Sequence, residues 1–264
     1  MKRIYILFTL FLLTFSSSFS FADERHDIII NDYKETHSLN QGAFYTLDEI
    51  INANDDLNDA HLVLTGQELR DENNRINELL QNSPDLHIIL DVQEGDGLVE
   101  NGSLTFGGNL TQDVRKLTIA NIAQDVTIIG DNFMCSPSLT DLDFSSLSQV
   151  TQIGVHFLSN CTGLTYLDLS PFSQVTQIKD CFLSFCTGLT NLDLSPLSQV
   201  TQIENFFLQG CAGLTNLDLS PLSQVNQIGS EFISYCTGLI HLDLCALSQV
   251  RQIGNYFLSQ CNGF

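Results

Sequence analysis

The sequence predicts a solenoid, in which short repeated units stack side by side and share one continuous hydrophobic core. Three observations lead to this prediction: a fixed repeat length, leucine columns with the same step, and an alternation of polar and apolar residues inside each unit. The clearest column is cysteine, which recurs every 25 residues at Cys161, Cys186, Cys211, Cys236 and Cys261.

Two leucine columns repeat with the same step as the cysteines. We divide residues 114–264 into six 25-residue units, the first of which is divergent and carries Val114, Leu117 and Ile119 in the leucine positions. No divergent unit follows the sixth, so we expect an array without a C-terminal cap and with an open sheet edge. The two columns in the other units are Leu139, Leu164, Leu189, Leu214 and Leu239, and Leu142, Leu167, Leu192, Leu217 and Leu242.

One unit, residues 164–188, illustrates the local pattern. Tyr166–Ser170 alternates outward polar and inward apolar side chains, which predicts a short strand with one buried face. Pro171 is expected to end this strand, because proline cannot donate to a central ladder. Stacking of neighbouring units then gives a parallel sheet with strands about 4.8 Å apart. The later inward-facing residues of the unit are Val175, Ile178, Phe182, Leu183 and Cys186.

The recurring string Leu-x-x-Leu-x-Leu, then Pro, Val-x-x-Ile-Gly, Phe and Cys-x-x-Leu resembles the BspA-like class of leucine-rich repeats. The resemblance covers residues 114–264. It implies an α/β solenoid, a right-handed superhelix with a parallel β-sheet on its concave face. It also implies a surface or secreted binding protein of a microbe, bacterial or protist.

The first 22 residues have the pattern of a secretory signal peptide. Lys2 and Arg3 precede the apolar run Ile4–Phe15, and small residues lead to the expected cleavage site after Ala22. The run is too short to cross a bilayer comfortably, and no later stretch has membrane length. We therefore predict a secreted, cell-surface or periplasmic protein without a transmembrane segment after cleavage; the alternative is a buried N-terminal helix or strand.

Residues 23–113 are acidic and lack the 25-residue period. Thr46 and Glu49 fit a capping box at a helix start. We interpret the region as a divergent, partly helical N-terminal cap whose polar outer side protects the first unit; a small independent domain is the alternative. The predicted elements are a strand at His61–Leu64, a helix at Gln67–Gln81 and a strand at Leu86–Val92.

The charge balance excludes several classes of partner. The chain has ten Lys and Arg residues and 31 Asp and Glu residues, which gives a net charge of −21. Nucleic acids and anionic membranes need a basic face, so neither is an expected partner. Hydrophobic residues form 43% of the chain, which excludes a disordered acidic tail.

An aspartate column lies between the two inward leucines of each unit and should project from the strand face. Neighbouring carboxylates one strand apart repel by roughly 0.9 kcal/mol in water. We expect this repulsion to raise some aspartate pKa values, or the column to attract cations or to bind a basic partner. The alternative is a solvated consensus residue copied by duplication. The Asp column is Asp143, Asp168, Asp193, Asp218 and Asp243.

A second column on the same predicted face varies from unit to unit, which suggests a position free of packing constraints. Amphipathic Tyr and Asn side chains suit recognition by contact and hydrogen bond. We predict that this mixed column binds the partner together with the Asp column; it is Asp141, Tyr166, Asn191, Asn216 and His241. Another varied column, on a turn away from the strands, is His156, Cys181, Phe206, Glu231 and Tyr256.

Nothing in the sequence predicts an enzyme, and we expect no cofactor, metal site or catalytic residue. His156 and Cys181 fall one unit apart in one column, but a Cys–His dyad also needs an orienting group and an oxyanion pocket. Four histidines in the acidic half show no metal-ligand spacing: His26, His37, His61 and His87.

The periodic cysteines are predicted to be small core residues. Export would permit disulfides, but a stack of equivalent thiols is a poor zinc site and an uncertain bridge. Three cysteines lie off that column and are expected to be the reactive thiols: Cys135, Cys181 and Cys245.

These patterns predict a secreted or surface repeat protein that binds a protein or glycan ligand, as in adhesion or host recognition. The ligand is expected to be basic or bridged by cations. The alternatives are a structural envelope or scaffold protein that self-associates through the open C-terminal end, and a Cys-dependent enzyme.

Overall fold

The computed structural model describes residues 44–52, 60–93, 96, 98–106 and 114–263. The predicted signal peptide at 1–22 lies outside these residues. The helices are α1 Leu47–Asn52, α2 Gly66–Asp71 and α3 Asn73–Asn82. The strands form two sheets, which we call sheet A and sheet B.

Sheet A has five parallel strands, four of them from the N-terminal part of the chain. In spatial order they are β1 Phe44–Tyr45, β2 His61–Thr65, β3 His87–Val92, β6 Lys116–Ile122 and β8 Asp141–Asp143.

Sheet B has eight strands, parallel except for its first pair, β4 Val99–Glu100 and β5 Ser103–Leu104. The remaining strands each contribute two residues and follow one another in chain order. They are β7 Ile128–Ile129, β9 Gln152–Ile153, β10 Gln177–Ile178, β11 Gln202–Ile203, β12 Gln227–Ile228 and β13 Gln252–Ile253.

Capping boxes start the first two helices. At α1 the Glu49 carboxylate accepts from the Thr46 backbone N–H at 2.8 Å, and the Thr46 hydroxyl accepts from the Glu49 backbone N–H at 3.4 Å. This confirms the predicted box. Thr65 and Glu68 form a second, reciprocal box at α2, which satisfies backbone donors that a helix start leaves without partners.

The predicted helix at Gln67–Gln81 is confirmed as helical but consists of two helices that meet at Glu72. Glu72 closes α2 by donating its N–H to the Glu68 carbonyl at 2.9 Å, with φ −106° and ψ 16°. Asn73 and Asn74 follow directly, and asparagine favours caps over helix interiors. The predicted strands at His61–Leu64 and Leu86–Val92 are confirmed as β2 and β3 to within one residue.

The predicted strand at Tyr166–Ser170 is wrong. Asp141–Asp143 forms a strand in the unit before it, but the equivalent segments of the later repeats form no regular ladder in the described chain, apart from one isolated bridge between Asn216 and His241. Their leucines nevertheless point inward as predicted; Leu167, for example, is buried. The alternation predicted which side chains are buried but not the backbone that holds them.

A short 3-10 helix follows each of these segments, as it also follows the strand Asp141–Asp143. Pro171, which was expected only to end a strand, lies in the first turn of Ser170–Phe172, where its missing N–H costs nothing. The Asp168 carboxylate accepts the Ser170 backbone N–H at 2.8 Å and turns the chain into that helix. The other 3-10 helices are Ser145–Leu147, Ser195–Leu197, Ser220–Leu222 and Cys245–Leu247.

Like charge offers a physical reason for the end of the sheet A ladder. Asp141 faces Lys116 across β6 and β8, and Asp143 faces Thr118. From the next unit onward an aspartate would face an aspartate, and like charges directly opposite each other destabilise a sheet. The ladder therefore ends at the unit where that repulsion begins.

A turn segment of five residues forms the side of each repeat away from the two sheets. In residues 181–185 the first, third and fifth positions are left-handed, with φ of 61°, 54° and 59° at Cys181, Leu183 and Phe185. The Leu183 N–H reaches back to the Phe157 carbonyl at 2.9 Å, whereas the Phe185 N–H reaches forward to the Gln209 carbonyl at 2.6 Å. Each repeat is thus bonded to both neighbours, which holds residues in a conformation that costs about 1–2 kcal/mol each.

A continuous stack of phenylalanines runs through the core behind these turns. Neighbouring rings are nearly parallel, at 4–16°, with centroids 5.3–5.7 Å apart. Phe106 closes the stack at its N-terminal end with an edge-to-face contact at 5.0 Å. The stacked rings are Phe133, Phe157, Phe182, Phe207, Phe232 and Phe257.

The cysteine column lies beside this stack and is reduced, as all eight cysteines are. Each thiol of the column is within hydrogen-bond distance of a backbone carbonyl of the preceding repeat; Cys211 Sγ, for example, lies 3.1 Å from the Leu183 oxygen. Burial raises the pKa of Cys236 to about 12 and shifts the pKa of Cys161, Cys186 and Cys211 in the same direction. The prediction of core thiols is confirmed.

Candidate functional site

The residues of the mixed column all lie at the surface. Asp141, Tyr166, Asn191, Asn216 and His241 are exposed, and Tyr166 is the most open of the large apolar side chains at 68%. The bridge between Asn216 and His241 keeps the last two in register.

The register of sheet A continues the mixed column into the N-terminal region. Asp141 pairs with Lys116, Lys116 with His87, and His87 with His61. Because successive residues of a strand alternate between faces, paired residues share one face of the sheet. The register of the mixed column therefore continues to His61 and, through β1, to Phe44, but in these strands the same face is buried at Val63, Ile89 and Thr118.

Two histidines that are far apart in the sequence meet on this face. His61 Nδ1 and His87 Nδ1 are 3.1 Å apart, with ring centroids at 5.0 Å, and His87 Nε2 lies 3.0 Å from the Thr118 hydroxyl. The sequence interpretation did not predict that this pair meets. Each is the first residue of its strand, so parallel pairing places them side by side.

The Asp column has a structural role in every repeat. One carboxylate oxygen of each aspartate accepts the backbone N–H two residues later, at 2.8–2.9 Å, and thereby caps the following 3-10 helix. Aspartate at this position is explained by that bond alone, so its recurrence is not by itself evidence of binding.

These hydrogen bonds reverse the predicted pKa shift. The Ser195 hydroxyl and backbone N–H lower the pKa of Asp193, and Ser220 lowers that of Asp218 in the same way. For Asp243 the backbone N–H of Cys245 is the main cause of a lowered pKa. Repulsion between neighbouring carboxylates is present but weaker than these bonds, because the groups are open to water. The expectation of raised aspartate pKa values is wrong for these three residues.

The Asp column remains charged and accessible after capping. Asp168, Asp193, Asp218 and Asp243 are exposed, and none of them forms an ion pair with another residue that the structure describes. A pocket of about 320 Å³ opens between Asp143 and Asp168. The face can therefore attract cationic groups along several repeats.

The structure gives less support to metal binding by the Asp column than to attraction of cationic groups. Within residues 44–52, 60–93, 96, 98–106 and 114–263, no three His, Cys, Asp or Glu side chains converge in a way that could hold an ion. Neighbouring members of the Asp column are separated by a whole repeat, whereas a calcium ion needs about 6–8 oxygens at about 2.3–2.6 Å.

The Cys–His dyad has no supporting geometry. No hydrogen bond joins His156 and Cys181 among the described residues, and each donates its backbone N–H to a different carbonyl. Burial raises the pKa of Cys181, and the adjacent Asp180 carboxylate raises it further. This shift opposes the thiolate that a catalytic cysteine needs.

The other two cysteines off the core column are shifted in the same direction. Burial raises the pKa of Cys135, and the Asp243 carboxylate raises that of Cys245. Both shifts disfavour the thiolate, so the structure gives no support to the expectation that these are reactive thiols.

Sheet B carries a groove that the sequence interpretation missed. It has a volume of about 730 Å³ and passes Thr151, Gln152 and Gly154 before it reaches the ion pair of Lys179 and Glu204, whose Nζ and Oε1 atoms are 2.9 Å apart. The recurring Gln-Ile dipeptide was available as a signal, because every two-residue strand from β9 onward has that sequence.

No helix in the part of the chain that the structure describes is long and apolar enough to span a membrane. A family model described as the BspA type leucine rich repeat region matches residues 126–264 in six copies. Neither the curated proteins nor the solved structures include a significant match.

Proposed function

The chain belongs to the BspA-type leucine-rich-repeat family, and from this premise we propose that it is a secreted or cell-surface protein that binds a partner protein through the Asp and mixed columns. Repeats of this family support a role in protein interaction, and the family is typically non-enzymatic. The proposed partner presents basic side chains, or is bridged by cations, as in adhesion to a host surface.

The observation that supports this proposal is the exposure of all five residues of the mixed column, one in each repeat from Asp141 to His241. A rigid stack fixes the spacing of these side chains before binding, so little conformational entropy is lost when a partner docks. The four exposed carboxylates of the Asp column would supply long-range attraction and a faster association rate.

We also propose that residues 23–113 act as the N-terminal cap. In its support, β3 covers the edge of β6 along six registered pairs, and buried leucines continue from β2 through β8. Residues 114–264 would then be the binding array.

The test is binding of the purified protein to a panel of extracellular-matrix proteins and host-cell surfaces, by biolayer interferometry at two salt concentrations. In the test variant Asp168, Asp193 and Asp218 are changed to Asn, which removes three charges while an amide oxygen still caps each turn. We expect binding about tenfold weaker or more and a smaller salt dependence.

The matched control variant removes three exposed charges elsewhere, by Glu78→Gln, Glu100→Gln and Asp125→Asn. It should bind as the wild type does. Equal affinity of the wild type and the test variant, or equal losses in both variants, would reject the proposed face.

A further inference from the structure

The turn segment carries exposed aromatic residues on a different side of the repeats from the Asp column. Its third position is buried, but most residues at its first and fifth positions reach the surface. Two varied columns meet there, and we call their large aromatic members the aromatic flank: the exposed Phe185, Tyr235 and Tyr256 and the half-buried Phe206. Exposed apolar patches of this kind mark interaction sites.

The backbone does not favour aromatic residues at the fifth position. Asn160 and Gly210 occupy it in two repeats, and both residue types tolerate the left-handed φ of 63° and 71° found there. Phe185 and Tyr235 adopt the same conformation, with φ of 59° and 58°, although bulky side chains disfavour it. Their side chains are 44% and 49% exposed, so burial in this chain offsets only part of that strain.

Gly210 shapes the surface between these two aromatic residues. A Cβ at Gly210 would lie 2.5–3.3 Å from three ring carbons of Phe185. The Phe185 ring therefore lies over the glycine and is held against the backbone, with part of its surface still open to solvent. This arrangement presents the other part of the ring to solvent as an aromatic platform.

Hydrogen-bonding groups border the platform, but few charges do. Glu231 is the one carboxylate in the two columns, and its Oε2 accepts from Gln209 Nε2 at 2.9 Å and from the Ser234 hydroxyl at 2.8 Å. No lysine or arginine occupies either column. On a chain with a net charge of −21, this flank suits an uncharged partner, since an acidic one would be repelled and a basic one attracted elsewhere.

We propose that the aromatic flank binds a neutral, extended polysaccharide. A pyranose ring has an apolar C–H face that stacks on an aromatic ring and a rim of hydroxyls that amide and carboxylate groups bind. Phe185 and Tyr235 are two repeats apart, about 10 Å at a strand spacing of about 4.8 Å, a distance that an extended disaccharide unit covers. Repeated, rigid rungs match a repeated polymer, and this site does not depend on the Asp column.

Affinity electrophoresis in native gels tests the proposal with named soluble polymers: hydroxyethylcellulose, xyloglucan, galactomannan and laminarin, with alginate as the acidic comparison. We expect at least one neutral polymer to retard the wild-type protein and alginate to leave it unaffected. The double variant Phe185→Asn and Tyr235→Asn should bind the polymer at least about tenfold more weakly. Asparagine tolerates the left-handed backbone, so this variant should keep its melting temperature or raise it.

Tyr166→Asn removes an aromatic residue that is at least as exposed, from the mixed column, and is the matched control; it should keep full retardation. The Asp-to-Asn variant should also keep it, which separates this proposal from the proposed function. Retardation by no neutral polymer, or equal retardation of the wild type and the flank variant, overturns the proposal. A protein ligand that needs Phe185 and Tyr235 while no polymer binds would overturn it as well.

Discussion

Strand β3 in the N-terminal region runs for six residues, whereas each repeat contributes only two residues to sheet B. Both regions bury apolar side chains in one register, since Ile88 of β3 pairs with Leu117 of β6, and Leu117 pairs with Leu142 of the first full repeat. In the N-terminal region a long ladder and two helix caps hold the backbone. In the repeats, columns of identical side chains take over that role: stacked phenylalanines, buried thiols and capping aspartates.

This difference shows what exact repetition makes possible. A column of identical residues stabilises the array only if each member can pack against a copy of itself in the next repeat. Phenylalanine rings and Cys Sγ–carbonyl contacts do so favourably, and the charged aspartates do so at an electrostatic cost. The divergent first unit avoids that cost, since Lys116 and Thr118 face Asp141 and Asp143 there.

Phe207→Ala should have the largest effect, because it interrupts the phenylalanine stack at a fully buried position. We expect a loss of about 3–5 kcal/mol in the free energy of unfolding, measured by urea denaturation. Hydrogen exchange should quicken in the neighbouring repeats and stay slow in β2 and β3. A loss below about 1 kcal/mol would contradict the role given to the stack.

Cys211→Ala should have an intermediate effect. The change removes the thiol contact with the Leu183 carbonyl, which still accepts the Cys186 backbone N–H at 3.4 Å, so we expect a loss of about 0.5–1.5 kcal/mol. Cys245→Ala is the control, since this thiol is exposed, and it should change stability by less than about 0.5 kcal/mol. If both variants are equally stable, the buried thiol contributes nothing measurable to stability.

The smallest effect is expected at Asp193, where two substitutions separate charge from capping. Asp193→Ala removes the bond to the Ser195 N–H and should lower the melting temperature. Asp193→Asn keeps an oxygen acceptor but removes the charge that strengthens this bond, so its melting temperature at neutral pH should lie between those of Asp193→Ala and the wild type. Calorimetry distinguishes the two, and equal losses would show that the charge itself stabilises the turn.

The pH dependence of Asp193→Asn completes this comparison. Folding lowers the pKa of Asp193, Asp218 and Asp243 from the usual 3.8. Their stabilisation is therefore present above that value and is lost as pH falls through the lowered pKa. The wild type should lose stability below a pH of about 4, and Asp193→Asn should lose less of it. Identical acid profiles would contradict these shifts.

Much of the architecture follows from the sequence, because burial has a period that can be counted. The leucine, phenylalanine and cysteine columns were predicted to face inward, and they do. The absence of a strand at Tyr166–Ser170 was not predictable, because an alternating pattern fits a strand and a capped turn equally well. The capping bond does not separate the two either, since the Ser145 N–H makes the same bond to Asp143 directly after the strand Asp141–Asp143.

The parts of the candidate sites that sequence did not reveal depend on register or on backbone handedness. His61 and His87 meet because β2 and β3 start in step, which no spacing rule for metal ligands detects. The left-handed backbone at Phe185 and Tyr235 cannot be predicted from the sequence, because neither residue type normally adopts it. The exposure of the Asp and mixed columns was predicted; their partner stays a proposal.

The stack of phenylalanines also bears on how such a chain changes over generations. Each ring meets nearly the same surface in front of it and behind it, since the shortest centroid spacing is 5.3 Å and the longest 5.7 Å. A recombination event that removes or inserts one whole unit would therefore rejoin surfaces that already fit. Array length, and with it the reach of both surface columns, can vary without a new core having to evolve.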